Sequence, residues 1–247
     1  MEERIASRKN PLIQQVRRLL TSKKERLTTG LFVSDGTKLL EEAIKWWDGL
    51  ETVILTDDVQ MQLPDGVRIV RVPEDVMAYI SPMETPQGAL FICRLPEKRE
   101  FTPKPGMLLL DGIQDPGNMG TILRTADALS VPVALLEGCA DPYSHKVVRS
   151  SMGAVFRTPP VQTTWETAKE ILTREQIPVA VTALSERAVD IRTADLRTMA
   201  VVIGSEGQGV RNQIMESADA QLIIPMNPNC ESLNAAVAAA IVMWQMQ

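Results

Sequence analysis

Three stretches in the second half of the chain decide the fold: Asp111 to Asp127 (DGIQDPGNMGTILRTAD), Val202 to Val210 (VIGSEGQGV) and Ile223 to Ala240 (IIPMNPNCESLNAAVAAA). Each begins as an apolar run, turns through Gly, Pro or Asn, and returns to helical periodicity at once or within a few residues. The pattern is strand, loop, helix, three times over. Strands are expected at Met107–Leu110, Val131–Leu136, Val179–Ala183, Met199–Ile203 and Gln221–Ile224. Helices at Met119–Leu129, Trp165–Thr173, Val210–Ser217 and Leu233–Gln245 separate most of them. Near-continuous apolar strands joined by helices imply a parallel sheet covered on both faces. Ligands of such sheets sit at the carboxyl ends of the strands, where all three stretches lie.

In the first stretch Asp115-Pro116-Gly117-Asn118 is a turn by composition, and Asn118 is placed to cap the helix that follows. Gly120 and Arg124, four residues apart, share a face of that helix. In the second, the glycines of Gly204-Ser205-Glu206-Gly207-Gln208-Gly209 permit close backbone approach to a ligand. A dinucleotide fingerprint would need other glycine offsets in an N-terminal βαβ unit and an acidic residue about twenty positions on. In the third, Ser232 is a natural N-cap for an alanine-rich helix from Leu233 to Trp244, whose small residues imply tight burial.

Together the three motifs resemble the SpoU family of RNA ribose 2'-O-methyltransferases, the trefoil-knot class, over roughly Gly106 to Gln247. SLNAAVAAA is similar to the family's SLN signature, with Ala235 where valine is frequent. The resemblance implies an S-adenosylmethionine-dependent enzyme acting on RNA and an α/β fold with a deep trefoil knot (SPOUT class) in the C-terminal parallel-sheet domain. It also implies a homodimer through that domain, which the apolar end Ile241-Val242-Met243-Trp244 would suit. Catalytic roles fall on Asn118, Arg124, Glu206, Ser232 and Asn234, and cofactor contacts on Gly204, Ile224 and Leu233, with Thr182, Ala183 and Leu184 beside them. Arginine hardly ever loses its proton in proteins, so Arg124 is expected to align the 2'-oxygen and stabilise charge rather than act as a literal base. The 2'-hydroxyl makes RNA, not DNA, the substrate. The N-terminal extension favours ribosomal RNA, most of all 23S; the alternatives are a transfer RNA 2'-O-methyltransferase and a catalytically inactive RNA-binding protein of the same fold.

Arg94 to Gly106 (RLPEKREFTPKPG), with three prolines and no periodicity, reads as a linker. The expected organisation is therefore a substrate-binding domain at 1–94, a linker at 95–105 and a methyltransferase domain at 106–247. Strands at Leu31–Ser34, Thr52–Thr56, Val67–Val72 and Ala89–Cys93, with helices at Pro11–Leu20, Thr37–Trp47 and Glu74–Tyr79, make the first of these a smaller α/β unit. Phe32 to Ala43 (FVSDGTKLLEEA) looks like the start of the L30e-like substrate-binding domain many family members carry, with Asp35 where glutamate is typical. The opening segment concentrates Arg4, Arg8, Lys9, Arg17, Arg18, Lys23, Lys24 and Arg26 against Glu2, Glu3 and Glu25. Phosphates bind such local patches, which makes Arg8 and Lys9 RNA-binding candidates. The same charges also suit a solvated helix face around Leu12, Val16 and Leu19. Asp141 to Ala154 (DPYSHKVVRSSMGA) resembles a family loop in which Lys146 and Arg149 would touch phosphate.

The formal net charge of −5 argues against nucleic-acid binding by bulk electrostatics alone. Cys93, Cys139 and Cys230 form no CxxC pair, so neither a disulfide framework nor a structural zinc site is expected. His145, the single histidine, lacks neighbouring Cys, His or paired carboxylates, so no metal or hydrolase site is expected there. MEERIASRKNPLIQQ lacks the apolar core of a signal peptide, and no apolar stretch reaches spanning length. A soluble cytoplasmic protein without membrane or metal partners is the expectation.

Overall fold

The computed structural model describes residues 2–205, 207–227, 229–230 and 232–247; Met1, Glu206, Pro228 and Glu231 lie outside the described residues. Before the linker the elements are β1 (Glu2–Arg4), α1 (Pro11–Thr21), α2 (Lys23–Thr29), β2 (Leu31–Asp35), α3 (Thr37–Trp46), β3 (Leu50–Leu55), β4 (Arg68–Arg71), α4 (Glu74–Ile80) and β5 (Ala89–Arg94). After it come β6 (Met107–Asp111), α5 (Pro116–Ala128), β7 (Val133–Leu135), α6 (His145–Ser150), α7 (Ala154–Arg157), β8 (Val161–Gln162), α8 (Trp165–Arg174), β9 (Val179–Thr182) and β10 (Val189–Asp190). Two 3-10 turns lead to β11 (Ala200–Gly204), α9 (Asn212–Glu216), β12 (Ala220–Ile223) and α10 (Ala235–Gln245). The expected strands and helices all appear, with ends moved by a few residues. The short elements β1, α2, α6, α7, β8 and β10 are additions, too brief to carry a periodic signal.

The chain divides into two compact units, Met1–Glu97 with Tyr143–Arg157, and Lys98–Pro142 with Thr158–Gln247. In the first, a mixed sheet is ordered β1-β4-β3-β5-β2; β1, β4 and β3 are parallel, and β5 is antiparallel to both its neighbours. Asn10 caps α1 by accepting from the Leu12 N–H at 2.9 Å, and Pro11 occupies a first-turn position where no N–H is needed. Leu12, Ile13, Val16, Leu19 and Leu20 then form one apolar stripe, packed with Val33, Ile54, Leu90 and Ile92 from the sheet.

A linear boundary would place Tyr143–Arg157 in the second domain, but its contacts belong to the first unit. Side chains alternate across a strand, so Phe32 and Phe91 point away from the α1 side. There they meet Tyr143 (5.2 Å from Phe32 between ring centroids) and Phe156 (6.3 Å from Phe91). Arg149 on α6 donates to the Oδ2 of Asp35 at 3.0 Å, and Arg157 on α7 pairs with Glu42 on α3. Burial pushes the Asp35 carboxyl upward even though Arg149 opposes it. Burial likewise pushes the His145 imidazole downward. The folded unit thus favours neutral His145, whereas the unfolded chain titrates near the ordinary value of about 6.5. Fewer protons are bound when folded, so this residue's contribution to stability is present above that pH and declines as pH falls below it. The urea midpoint of His145→Gln should therefore fall less steeply than that of the wild-type chain below pH about 6.5. Parallel midpoint curves through that range would contradict the assignment.

The second unit is a seven-stranded, wholly parallel sheet ordered β10-β12-β9-β11-β6-β7-β8. Met107, Leu109, Val179, Val181, Ala200 and Val202 pack on one face with Trp165, Ala168 and Leu172 of α8 and Ile214 of α9. The alternate residues Leu108, Leu110, Ala180, Val201 and Ile203 are also buried, as a sheet covered on both faces requires. Helix α10 packs on α5 and β11. Ala235, Ala236, Ala239, Val242 and Met243 are buried, while Val237, Ile241 and Trp244 are exposed, Trp244 by 70%. The tightly buried helix expected from the alanine run is therefore buried on one face only. Residues 95–106 hold no regular structure, and Phe101 within them enters the second unit's core.

Candidate active site

Because β12, β9, β11 and β6 are parallel neighbours, their carboxyl ends share one edge of the sheet. That edge presents Ile224 after β12, Thr182 to Leu184 at β9, Gly204 ending β11 and Asp111 ending β6. Gly204 and Asp111 are paired in register, as are Leu222 and Thr182. The Ala183 N–H donates to the Leu222 carbonyl at 2.9 Å, which carries the β9–β12 ladder past the strand end. Thr182, Ala183, Ile224 and Leu233 are half-buried, and Leu184 is exposed.

Gly204 owes its identity to close approach. A Cβ there would lie 2.0 Å from the carbonyl carbon of Gly209, because the loop folds back on itself. The Ser205 N–H donates to the Gly209 carbonyl at 3.2 Å, and the Gly209 N–H returns to the Ser205 carbonyl at 2.9 Å. Gly209 has φ +67°, in the left-handed region that favours glycine. Glu206, expected to be catalytic, lies outside the described residues.

Two expected caps are corrected. The N-cap of α5 is Asp115, whose carboxylate accepts from the Asn118 N–H at 2.7 Å; Asn118 stands inside the first turn. The N-cap of α10 is Asn234, whose Oδ1 accepts from Ala236 (3.0 Å) and Val237 (3.3 Å). Ser232 is exposed and two residues too early to reach those donors. With its acceptor spent on the helix, Asn234 uses its Nδ2 to donate to the Oδ1 of Asn118 at 3.0 Å. That bond joins the first and third motifs across 116 residues. A groove of ≈ 490 Å³ runs between α5 and α10, lined by Asn118, Thr121 and Thr125 on one side and Asn234, Val237 and Trp244 on the other. Arg124 on α5 is exposed and has no ion-pair partner among the described residues.

The basic candidates all belong to the first unit. Arg8 donates to Asp75 at 3.0 Å and Arg149 to Asp35, whereas Lys9 and Lys146 are exposed. Arg4 pairs with Asp57 and Arg18 with Glu25, so much of the opening positive charge is locally offset. Sequence reasoning missed one network altogether. Asp111, 1% exposed, accepts from the Arg211 N–H (2.9 Å) and Nε (2.6 Å), and Arg211 also donates to Glu137 at 2.8 Å. A carboxylate closing the apolar strand MLLLD was the available signal, since such a group must find a partner. Among the described residues, no group of His, Cys, Asp and Glu could hold a metal ion, and no helix is long and apolar enough to cross a membrane.

The profile of the SpoU rRNA Methylase family matches residues 105–244, which cover every element of this edge. The chain belongs to the SpoU family. Residues 10–90 match the MRM3-like substrate binding domain. A Bacillus subtilis relative, 23S rRNA (guanosine(2553)-2'-O)-methyltransferase RlmP, is 34% identical over 248 residues, covering 99% of each chain. The crystal structure of an AdoMet-bound rRNA methyltransferase from Sinorhizobium meliloti superposes with a TM-score of 0.85 at 28% identity, covering 99% of this chain and 97% of that one. An RNA 2'-O ribose methyltransferase superposes with a TM-score of 0.82 at 28% identity, covering 98% of this chain and 97% of that one. For this SpoU member the two corrected caps have separable consequences. Asn234→Ala should cost about 1 kcal/mol in equilibrium unfolding, the usual loss on removing an Asn cap, while Ser232→Ala should leave stability unchanged. A loss in Ser232→Ala with none in Asn234→Ala would return the cap to Ser232.

Proposed function

We propose that the chain transfers the methyl group of S-adenosylmethionine to a ribose 2'-hydroxyl of RNA, with 23S ribosomal RNA as the favoured substrate. The Asn118–Asn234 hydrogen bond is the observation that carries this reading, because it makes one polar site of two family motifs distant in sequence. The Bacillus subtilis relative supports the choice of 23S ribosomal RNA. The residues at the strand ends fit the methyl donor. Half-buried Ile224 and Leu233 and exposed Leu184 offer apolar walls for a purine, and the backbone of Gly204, Thr182 and Ala183 offers polar groups to read its edge. When bound, S-adenosylmethionine supplies an electrophilic methyl carbon on a positively charged sulfur.

The chain's own groups then hold the ribose in line and ease the loss of its hydroxyl proton. Arg124 presents guanidinium donors from an exposed helix position, so it aligns the 2'-oxygen or the adjacent phosphate and offsets the developing negative charge. Asn118, Ser232 and Asn234 hold the substrate, and Glu206 orients it or takes part in the reaction. Residues 1–94, together with the Tyr143–Arg157 segment that packs with them, carry RNA recognition through Arg8, Lys9, Lys146 and Arg149; the rest of 106–247 carries methyl transfer. A trefoil knot in that domain is the fold that membership of the SpoU family favours, and the seat of α10 on α5 and β11, away from edge-side β12, agrees with it. A homodimer is supported by the exposed apolar residues Val237, Ile241 and Trp244. Free thiols at Cys93, Cys139 and Cys230 support a reducing cytoplasm.

The test is transfer of labelled methyl to ribosomal and transfer RNA from a strain lacking the gene. Label is expected as one 2'-O-methylated nucleotide in 23S ribosomal RNA, and Arg124→Ala should slow turnover by about 10²–10³-fold while cofactor and RNA affinities hold. Absence of both cofactor binding and label would overturn the reading. Trp244→Glu should convert a sedimenting dimer to a monomer; a wild-type chain that is already monomeric would contradict the dimer.

A further inference from the structure

We infer that Asp111 is a positioning residue of the methyl-donor site: its backbone at the end of β6 pairs with the entry of the glycine loop, and its buried carboxylate holds the loop's exit, in the shape that receives the cofactor. The inference rests on the methyltransferase reading above. At its entry the loop leaves Gly204, the residue paired in register with Asp111. At its exit it returns to the Asp111 side chain. The Arg211 backbone N–H donates to Oδ2 at 2.9 Å and its Nε to Oδ1 at 2.6 Å, so both carboxylate oxygens are spent on one residue. Val210, between the loop and Arg211, is buried in the core of the unit. The Ser205–Gly209 bonds and the 3.3 Å bond from the Gln208 N–H to the Ser205 Oγ give the loop its internal form. They do not fix its exit to the sheet; Asp111 does.

The Arg211 charge is itself secured. Burial opposes it, but hydrogen bonds to Glu137 and Asp111 and their negative charge outweigh burial and push its pKa upward. Glu137 accepts from the Trp165 N–H at 3.2 Å as well, which ties the guanidinium to the start of α8. A loop whose backbone must meet a ligand needs such a framework, because a shift of about 1 Å at a positioning group is enough to lose binding or rate.

The experiment is calorimetric titration of the full-length chain with S-adenosylmethionine, with hydrogen exchange read at residues 207–211. Asp111→Asn should weaken the cofactor about tenfold or more and speed exchange in the loop, with RNA affinity unchanged. Arg211→Lys, which keeps the backbone bond and the charge, should fall between it and wild type. Asp195→Asn makes the same chemical change at an exposed carboxylate paired with Arg197, and should change nothing. Asp111→Asn/Arg211→Gln leaves no buried charge unpaired and so protects the fold; its cofactor affinity should stay low. Wild-type affinity in both Asp111→Asn and the double variant would overturn the inference and leave the methyltransferase reading standing. A double variant that fails to fold would assign Asp111 to the fold and also overturn it. A wild-type chain that binds no S-adenosylmethionine would overturn the parent reading, and this inference with it.

Discussion

Parallel pairing of β12, β9, β11 and β6 is the constraint on which the candidate site depends. Parallel strands cannot be joined by tight hairpins, so each must be followed by a crossover that returns the chain to the starting edge. Every strand therefore delivers its carboxyl end, and the loop after it, to the same side of the sheet. Motifs as far as 116 residues apart become neighbours without any direct sequence signal between them. The same pairing buries the strands on both faces, which leaves their ends as the natural place for polar groups.

Those polar groups carry two duties at once. Asn234 must satisfy the first donors of α10 and also reach Asn118, and it does so by dividing its amide: the oxygen serves the helix and the nitrogen serves the site. Asp111 faces a harsher version of the same problem. A buried carboxylate is tolerated only when its charge and lone pairs are met, and Arg211 meets both oxygens from the far end of the glycine loop. Helix capping, strand termination and loop closure are thus settled by the same few residues that frame the candidate site.

Much of this was legible in the sequence. Apolar runs separated by helical periodicity marked every long element, and their composition identified the parallel sheet before any contact was known. The glycines at 204–209 pointed to close backbone approach by a ligand; in the structure the approach at Gly204 is to Gly209 of its own loop, and Gly209 has the positive φ. What failed was local competition. Asn118 and Ser232 are both good capping residues, but the cap goes to whichever side chain sits one step before the first helical residue, and Asp115 and Asn234 hold those positions. The return of Tyr143–Arg157 to the first unit was beyond periodicity, because aromatic packing and the Arg149–Asp35 pair decide it, and these are long-range contacts. Lysine and arginine counts near the N-terminus overstated the free charge, since Arg4, Arg8 and Arg18 are each met by a carboxylate.

The most direct measurement is a crystal structure of the chain soaked with S-adenosylmethionine. Density for the cofactor at the carboxyl ends of β9, β11 and β12, against Gly204, Ile224 and Leu233, is the expected result. Density at any other place, with that edge still holding only solvent at saturating cofactor, would contradict the assignment of the strand ends as the methyl-donor site.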